Sequence, residues 1–352
     1  MMKKASYSKR TLIFNQPAGT SRGILNKKDV FYLILNDTEN PSKKGIGEVA
    51  PIPGLSPDAV PDLEEKTGIL VQKINHKEEI VESEFSGFPA VKFGYETALK
   101  GLNAESPVLL FPSEFTNGET GIPINGLIWM GTKDFMLKQV SEKIAAGFTC
   151  LKLKIGAIDF ESELDILRSI RERFPATQLE IRVDANGAFS SENALENLEQ
   201  LVKFELHSIE QPIKQGQFSA MKKLCENSPV PIALDEELIG ISIKDEWEKL
   251  LDTICPQYII LKPTLLGGIK ASEEWISLAE ERGIGWWVTS ALESNIGLNA
   301  ISQWVATLKT TNFQGLGTGA LFANNIESPL YVSKGFLWYD PGKEWDLKSI
   351  DG

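Results

Sequence analysis

Hydrophobic and polar positions follow two regimes along the chain. Through the first hundred residues the pattern is mixed. Residues 11–14 and 30–35 alternate or run apolar like strands, and the second run leads into a turn-forming stretch, NDTENPSKKG. The segment GEVAPIPGLSPDAVPDL, from Gly47, is dense in Gly and Pro and reads as loop; helical periodicity follows from about Asp58 and again over 88–102. These elements predict a small α+β domain. Around 105–121 the composition shifts to Pro, Gly, Ser and Thr, the mark of a domain boundary.

From Ile122 onward short β-rich runs alternate with amphipathic helical stretches, the pattern of a parallel sheet built from βα units. Strands are predicted at INGLIW (124–129), CLKLKIG (150–156), LEIRVD (179–184), LHSIEQ (206–211), VPIALD (230–235), YIILKP (258–263), GWWVTS (285–290) and FQGLGTG (313–319). Thr132, Ser190 and Ser272 supply cap-like starts for helices between them. Eight such units in this length match a (β/α)8 barrel, for which ~250 residues is typical. The last segment, 325–352, lacks the rhythm and carries Tyr331, Phe336, Trp338 and Tyr339, apolar bulk expected to pack back on the first domain. The expected division is 1–110, 111–322 and 323–352, the small domain being completed by both chain ends.

Composition narrows the chemistry more than the fold. The 352 residues hold 36 Lys+Arg against 48 Asp+Glu, a net charge of −12, which makes nucleic acid a poor partner. Cys150, Cys225 and Cys255 are odd in number and lack C-x-x-C spacing, so neither a disulfide framework nor a structural zinc is expected, and buried thiols in a reducing compartment are. No window holds the ~18 apolar residues of a membrane span. The N-terminal MMKKASYSKRTLIFNQ has positive charge without an apolar core, so a cytoplasmic location is expected. With only His76 and His207 as imidazoles, acid–base work is sought in Lys, Asp and Glu.

Catalytic groups of a parallel barrel sit at the C-terminal ends of its strands. Those ends read Lys152 and Lys154, Asp184, Glu210, Asp235, Lys262 and Ser290, recurring every 25 to 30 residues, about one βα unit. Side chains two apart on a strand share a face, so Lys152 joins Lys154, and Glu180 and Arg182 join Asp184, toward the barrel interior. Buried there without partners each charge would cost several kcal/mol, so these groups must neutralise one another or bind a cation. Asp184, Glu210 and Asp235 on adjacent strand tips are expected near a common point. All-oxygen ligation favours a hard ion, Mg²⁺ first. A lysine beside another lysine and a divalent cation has its ammonium form disfavoured and can act as a base. The chemistry implied is proton abstraction α to a carboxylate.

With these residues in place, the chain resembles the enolase superfamily, its muconate-lactonizing-enzyme-like subgroup, and within that the o-succinylbenzoate synthase family. GEVAPIPGLS resembles the closing loop of that family's cap, LKLKIG carries its K-x-K and RVDANGAF its D-A-N; IEQP, ALDEE, LKPTLLGG, SALESNIGLNA and GLGTGALF resemble its later strand ends. The resemblance implies a modified TIM barrel, (β/α)7β, with an α+β capping domain. It implies an Mg²⁺-dependent lyase, with Mn²⁺ as a substitute, acting on a small carboxylate. Asp184, Glu210 and Asp235 would be the metal ligands, Lys154 the base and Lys262 the cation facing it across the substrate ring. Lys152, Ser290 and Asn186 would bind substrate. The family's racemases of N-succinylamino acids and its dipeptide epimerases use the same lysine pair; GLGTGALF lacks the acidic D-x-D of the dipeptide epimerases.

The remaining residues receive plainer expectations. Glu236, directly after Asp235, should point to the opposite face and act behind the site. Arg182 should pair with a barrel carboxylate, His207 should pack rather than catalyse, and Trp286 and Trp287 should fill the core. The cap loops at 21–25 and 51–56 should meet the substrate.

Overall fold

The computed structural model describes residues 3–20 and 23–350. The chain opens with a three-stranded antiparallel sheet, β1 (Lys3–Thr20), β2 (Gly23–Asp37) and β3 (Lys44–Val49), followed by helices α1 (Leu63–His76) and α2 (Pro89–Asn103). β2 explains its own nearly continuous apolar run. Val30, Tyr32 and Ile34 belong to the core shared with the barrel, whereas the alternate residues Phe31, Leu33 and Leu35 belong to the core under α1 and α2. α2 lies on β3 at backbone contact: a Cβ at Gly47 would stand 1.8 Å from the Gly94 carbonyl oxygen. β1 and β2 are far longer than predicted, because their pairing runs on past the apolar stretch through mostly polar residues.

The second domain is entered through β4 (Ile122–Pro123), and a curled parallel sheet follows. Its strands are β5 (Gly126–Ile128), β6 (Cys150–Lys154), β7 (Glu180–Asp184), β8 (Ser208–Glu210), β9 (Ile232–Leu234), β10 (Tyr258–Leu261) and β11 (Gly285–Val288), adjacent in chain order. The helices between and after them are α3 (Lys133–Ala145), α4 (Phe160–Arg171), α5 (Ala194–Leu201), α6 (Phe218–Asn227), α7 (Lys244–Ile254), α8 (Pro263–Leu266), α9 (Ile269–Glu281) and α10 (Asn295–Thr307). Thr132 caps α3 through the Phe135 N–H, as expected. Ser272 does not start a helix: it lies inside α9, buried, donating to the Gly268 carbonyl.

The predicted eighth strand is reduced to a closing clasp. Gln314 bridges Ile124 and Gly315 bridges Thr289, with Asn125 N–H on the Gln314 carbonyl at 3.0 Å and Gly315 N–H on the Val288 carbonyl at 2.8 Å. Glycines at 315, 317 and 319 leave this segment little side chain to hold a longer strand. The ring is thereby joined from β11 back to β5, the (β/α)7β arrangement expected.

Strands β12 (Leu330–Ser333) and β13 (Phe336–Tyr339) form a hairpin on β4. Tyr339 packs on Phe115, while Tyr331 and Phe336 are exposed, unlike the buried bulk expected of them. Beyond the hairpin the chain returns to the first sheet, where the Ser8 hydroxyl donates to the Ile350 carbonyl. Among the described residues no helix is long and apolar enough to cross a membrane.

Candidate active site

The parallel register sets the strand-end residues side by side: Lys154 pairs with Asp184, and Asp184 with Glu210. Asp235 and Lys262 stand one residue beyond β9 and β10, and Ser290 two beyond β11. Lys152 Nζ lies 3.0 Å from Asp184 Oδ2 and also contacts Glu210 Oε2. Lys154 Nζ donates to Asp184 Oδ2 at 2.9 Å and to Asn186 Oδ1 at 2.8 Å. Lys262 Nζ contacts Asp235 Oδ2. Lys152, Lys154, Asn186, Lys262 and Ser290 line one cavity of about 270 Å³ at the mouth of the barrel, and the buried carboxylates lie beneath the lysines.

The electrostatics follow from burial and crowding. Burial alone would raise Asp184, but Lys152 and Lys154 outweigh it and hold its carboxyl well below the usual range. Burial, and then the charge of Asp184, push Glu210 well above it. Burial works against the charge of Lys152 and Lys262, yet the carboxylates facing them hold both above the ordinary lysine value.

Two observations bear on a cation. Glu210 Oε1 and Asp235 Oδ1 are buried without a hydrogen-bond partner among the described residues. Unpaired carboxylate oxygens with no imidazole or thiol beside them suit a hard, oxygen-seeking ion. Yet among the described residues no three His, Cys, Asp or Glu side chains close on one point as a ready nest. The ammonium groups of Lys152 and Lys262 lie against the same carboxylates.

Glu236 departs from expectation. Strand alternation stops at Leu234, because Asp235 (φ −120°, ψ −75°) begins a 3-10 turn over Glu236–Leu238. Glu236 therefore swings into the cavity, where its Oε1 accepts from Asn186 Nδ2 at 3.1 Å, and burial, then Asp235, raise it to about 7. Ser290 is placed at the cavity with its hydroxyl committed, donating to Glu293 Oε2 at 2.5 Å and accepting from Thr318 at 2.8 Å. Ile52 and Leu55 of the 51–56 loop reach the wall. Of the other loop, Ser21 and Arg22 lie outside the described residues, and Ile24 is exposed. Gln16 and Leu292 also line the cavity and carried no signal in the sequence, being brought there by the first sheet and by a loop; Trp129, one residue beyond β5 and the end of the predicted strand 124–129, lines it too, a strand end passed over because its side chain is apolar. Cys150 and Cys225 are buried, but Cys255 is exposed: it ends α7 in the left-handed conformation (φ 52°), at the surface turn.

A closed parallel barrel with lysines and carboxylates interleaved at its C-terminal mouth, covered by loops of a separate antiparallel domain, defines the class of capped-barrel enzymes. Residues 136–342 match the model of the enolase C-terminal domain-like family. The chain belongs to that family. It is 48% identical to the o-succinylbenzoate synthase of Desulfotalea psychrophila, over 94% of this chain and 98% of that one. The crystal structure of MenC from the same organism superposes with a TM-score of 0.85, at 44% identity, covering 96% of this chain and 100% of the other. The o-succinylbenzoate synthase structure from Thermosynechococcus elongatus, which has Mg in its active site, superposes with a TM-score of 0.70 at 24% identity, covering 89% and 92%.

Proposed function

We propose that the chain is an o-succinylbenzoate synthase, a lyase that dehydrates 2-succinyl-6-hydroxy-2,4-cyclohexadiene-1-carboxylate to 2-succinylbenzoate in menaquinone biosynthesis. The observation that carries the reading is the placement of two lysines on opposite walls of one cavity. Lys154 ends β6 and Lys262 follows β10, four strands apart in the ring, and the 48% identity to the Desulfotalea synthase supports the particular reaction.

Asp184, Glu210 and Asp235 would hold Mg²⁺, a proposal that rests on the unpaired oxygens of Glu210 and Asp235 and on the all-oxygen donor set that Asp184, beside Glu210, completes. When bound, the ion supplies positive charge for the substrate carboxylate. The chain's own groups do the rest. Lys154, as the amine, takes the proton from the carbon bearing the carboxylate, and Asn186 fixes its Nζ. The electron pair left on carbon spreads into the carboxylate as an enediolate, which the ammonium groups of Lys262 and Lys152 stabilise. The pair then returns to form the aromatic ring as the C–O bond breaks. The hydroxyl leaves as water with the proton carried by Lys154, so atoms and charge balance. Ser290 and the wall around it receive the succinyl chain. We extend the proposal to the domain division 1–110, 111–322 and 323–352, and to a cytoplasmic enzyme.

Dehydration of the cyclohexadiene carboxylate with Mg²⁺ present, followed by ultraviolet absorbance of the aromatic product, tests the reading. N-succinyl amino acids run alongside provide the contrast. Rapid dehydration is expected, with slower racemisation or none; racemisation as fast or faster would overturn it.

A further inference from the structure

Away from the catalytic lysines the first sheet sends one more lysine into the barrel. Lys28 of β2 is 1% exposed, on the same strand face as Val30 and Tyr32, and its Nζ donates to the carbonyls of both Ala291 and Leu292 at 2.9 Å. A fully buried ammonium is costly unless its surroundings hold it, and the carboxylates of Glu293, Glu48 and Asp58 face it. Burial still pulls it down to about 8.

The segment it grips is strained. Leu292 has φ 59°, a conformation that costs a branched residue about 1–2 kcal/mol. Its side chain lines the substrate cavity beside Ser290. The turn is held from outside, by Glu293, and by the Ser290 hydroxyl, which accepts from the Leu292 N–H at 3.1 Å. Glu293 Oε1 accepts from Thr264, and its Oε2 from the Ser290 hydroxyl and the Ala291 N–H. Glu48, from β3, accepts from the N–H and hydroxyl of Ser294 and the N–H of Gly297. The first sheet thus reaches across the domain junction twice. Glu48 fixes the start of α10, and Lys28 fixes the carbonyls on either side of the strained peptide.

We propose that Lys28 is a positioning residue for substrate binding: its ammonium clamps the Ala291 and Leu292 carbonyls, holding Leu292 and Ser290 as the wall that receives the succinyl side chain. The proposal deepens the synthase reading and rests on it for the identity of that side chain. The clamp itself is independent of the reaction. Lys28 touches no reacting atom, so it acts through the shape of the wall and should be felt in KM more than in kcat.

The test uses the full-length enzyme with Mg²⁺. Lys28→Met keeps the side chain's length without its charge; it should raise KM about tenfold or more with kcat changed less than about threefold, and Lys28→Arg should recover part of the loss. Hydrogen exchange over 290–294 should quicken about tenfold in Lys28→Met, with the amides of β7 unchanged. Should Lys28→Met fail to fold, Lys28→Gln, which keeps a donor for one of the two carbonyls, takes its place with the same two readouts. Unchanged KM, or unchanged exchange at 290–294, in a folded Lys28→Met or Lys28→Gln would overturn the proposal. A wild-type chain that does not dehydrate the cyclohexadiene would remove the synthase reading, and the exchange experiment would still decide the clamp.

Discussion

The two ends of the barrel interior meet the same difficulty, buried charge, in opposite ways. At the N-terminal end Arg182 Nε donates to Glu180 Oε1 at 2.7 Å, its Nη1 donates to the Phe313 carbonyl at 3.0 Å, and its guanidinium lies 4.3 Å from the centre of the Trp287 ring. Cys150 also donates to Glu180, and His207 packs its ring on Tyr258 at 4.8 Å. This set closes on itself, one cation to one carboxylate with rings around them. At the C-terminal end three lysines crowd against Asp184, Glu210 and Asp235, and buried oxygens of Glu210, Asp235 and Glu236 lack donors among the described residues. A closed polar set rigidifies a core, whereas an open one costs stability and leaves atoms for a ligand. Side-chain satisfaction alone thus separates the two ends of the ring, and the open one has the atoms that the proposed chemistry requires.

The largest expected effect falls at the open end. Lys154→Ala should lower kcat about 10⁴-fold, the scale of losing a positioned general base. The variant should keep its melting temperature within about 2 °C, because Asp184 retains Lys152 as a partner. Its Mg²⁺ affinity, read by calorimetric titration, should be unchanged or raised. Substantial residual turnover would deny Lys154 its role, and a large drop in stability would mean that the open end is structural after all.

How much of this contrast could be read from the sequence depends on which contacts make it. The tip residues were legible because a barrel repeats: one βα unit brings each strand end back to the same height, so Lys154, Asp184, Glu210, Asp235 and Lys262 announce themselves by spacing. The alternation rule then failed where strands stop. Glu236 was expected to face away, but the chain leaves β9 at Leu234 and turns it inward. The eighth strand was legible as a position and not as a length, since its glycines permit only a clasp. Lys28, Glu48 and Glu293 were silent because their partners lie more than 200 residues away or in a turn whose shape is set by the opposite domain. Pairing across a domain junction leaves no local period to read.

A middle-sized effect belongs to the closed end. Arg182→Met should cost about 3 kcal/mol of stability, measured by denaturant unfolding, because Glu180 loses the guanidinium paired with it and the Trp287 ring loses the cation over it, while the His207–Tyr258–Trp287 ring cluster is kept. Turnover at saturating substrate should stay within about twofold of wild type. If kcat collapsed while the fold held, the two ends would be coupled and the separation drawn above would be wrong.

The smallest effect asks whether a carboxylate near the open end but outside the cavity also resists ionisation. Glu163 of α4 accepts the Gly156 N–H at 2.6 Å, holding the left-handed turn (φ 90°) that carries the chain away from Lys154. Burial raises its carboxyl from 4.5 to about 7. In the unfolded chain the group ionises at its ordinary value, so between these two values the folded state binds more protons and stability falls as pH rises. Below the window the penalty is absent; above it the penalty is complete. Glu163→Gln keeps an acceptor for Gly156 and cannot ionise, so it should match wild type near pH 4 and exceed it by about 2 kcal/mol near pH 8. Guanidinium unfolding midpoints across that range measure the difference. A gap that does not widen with pH would show that Glu163 ionises normally in the folded protein.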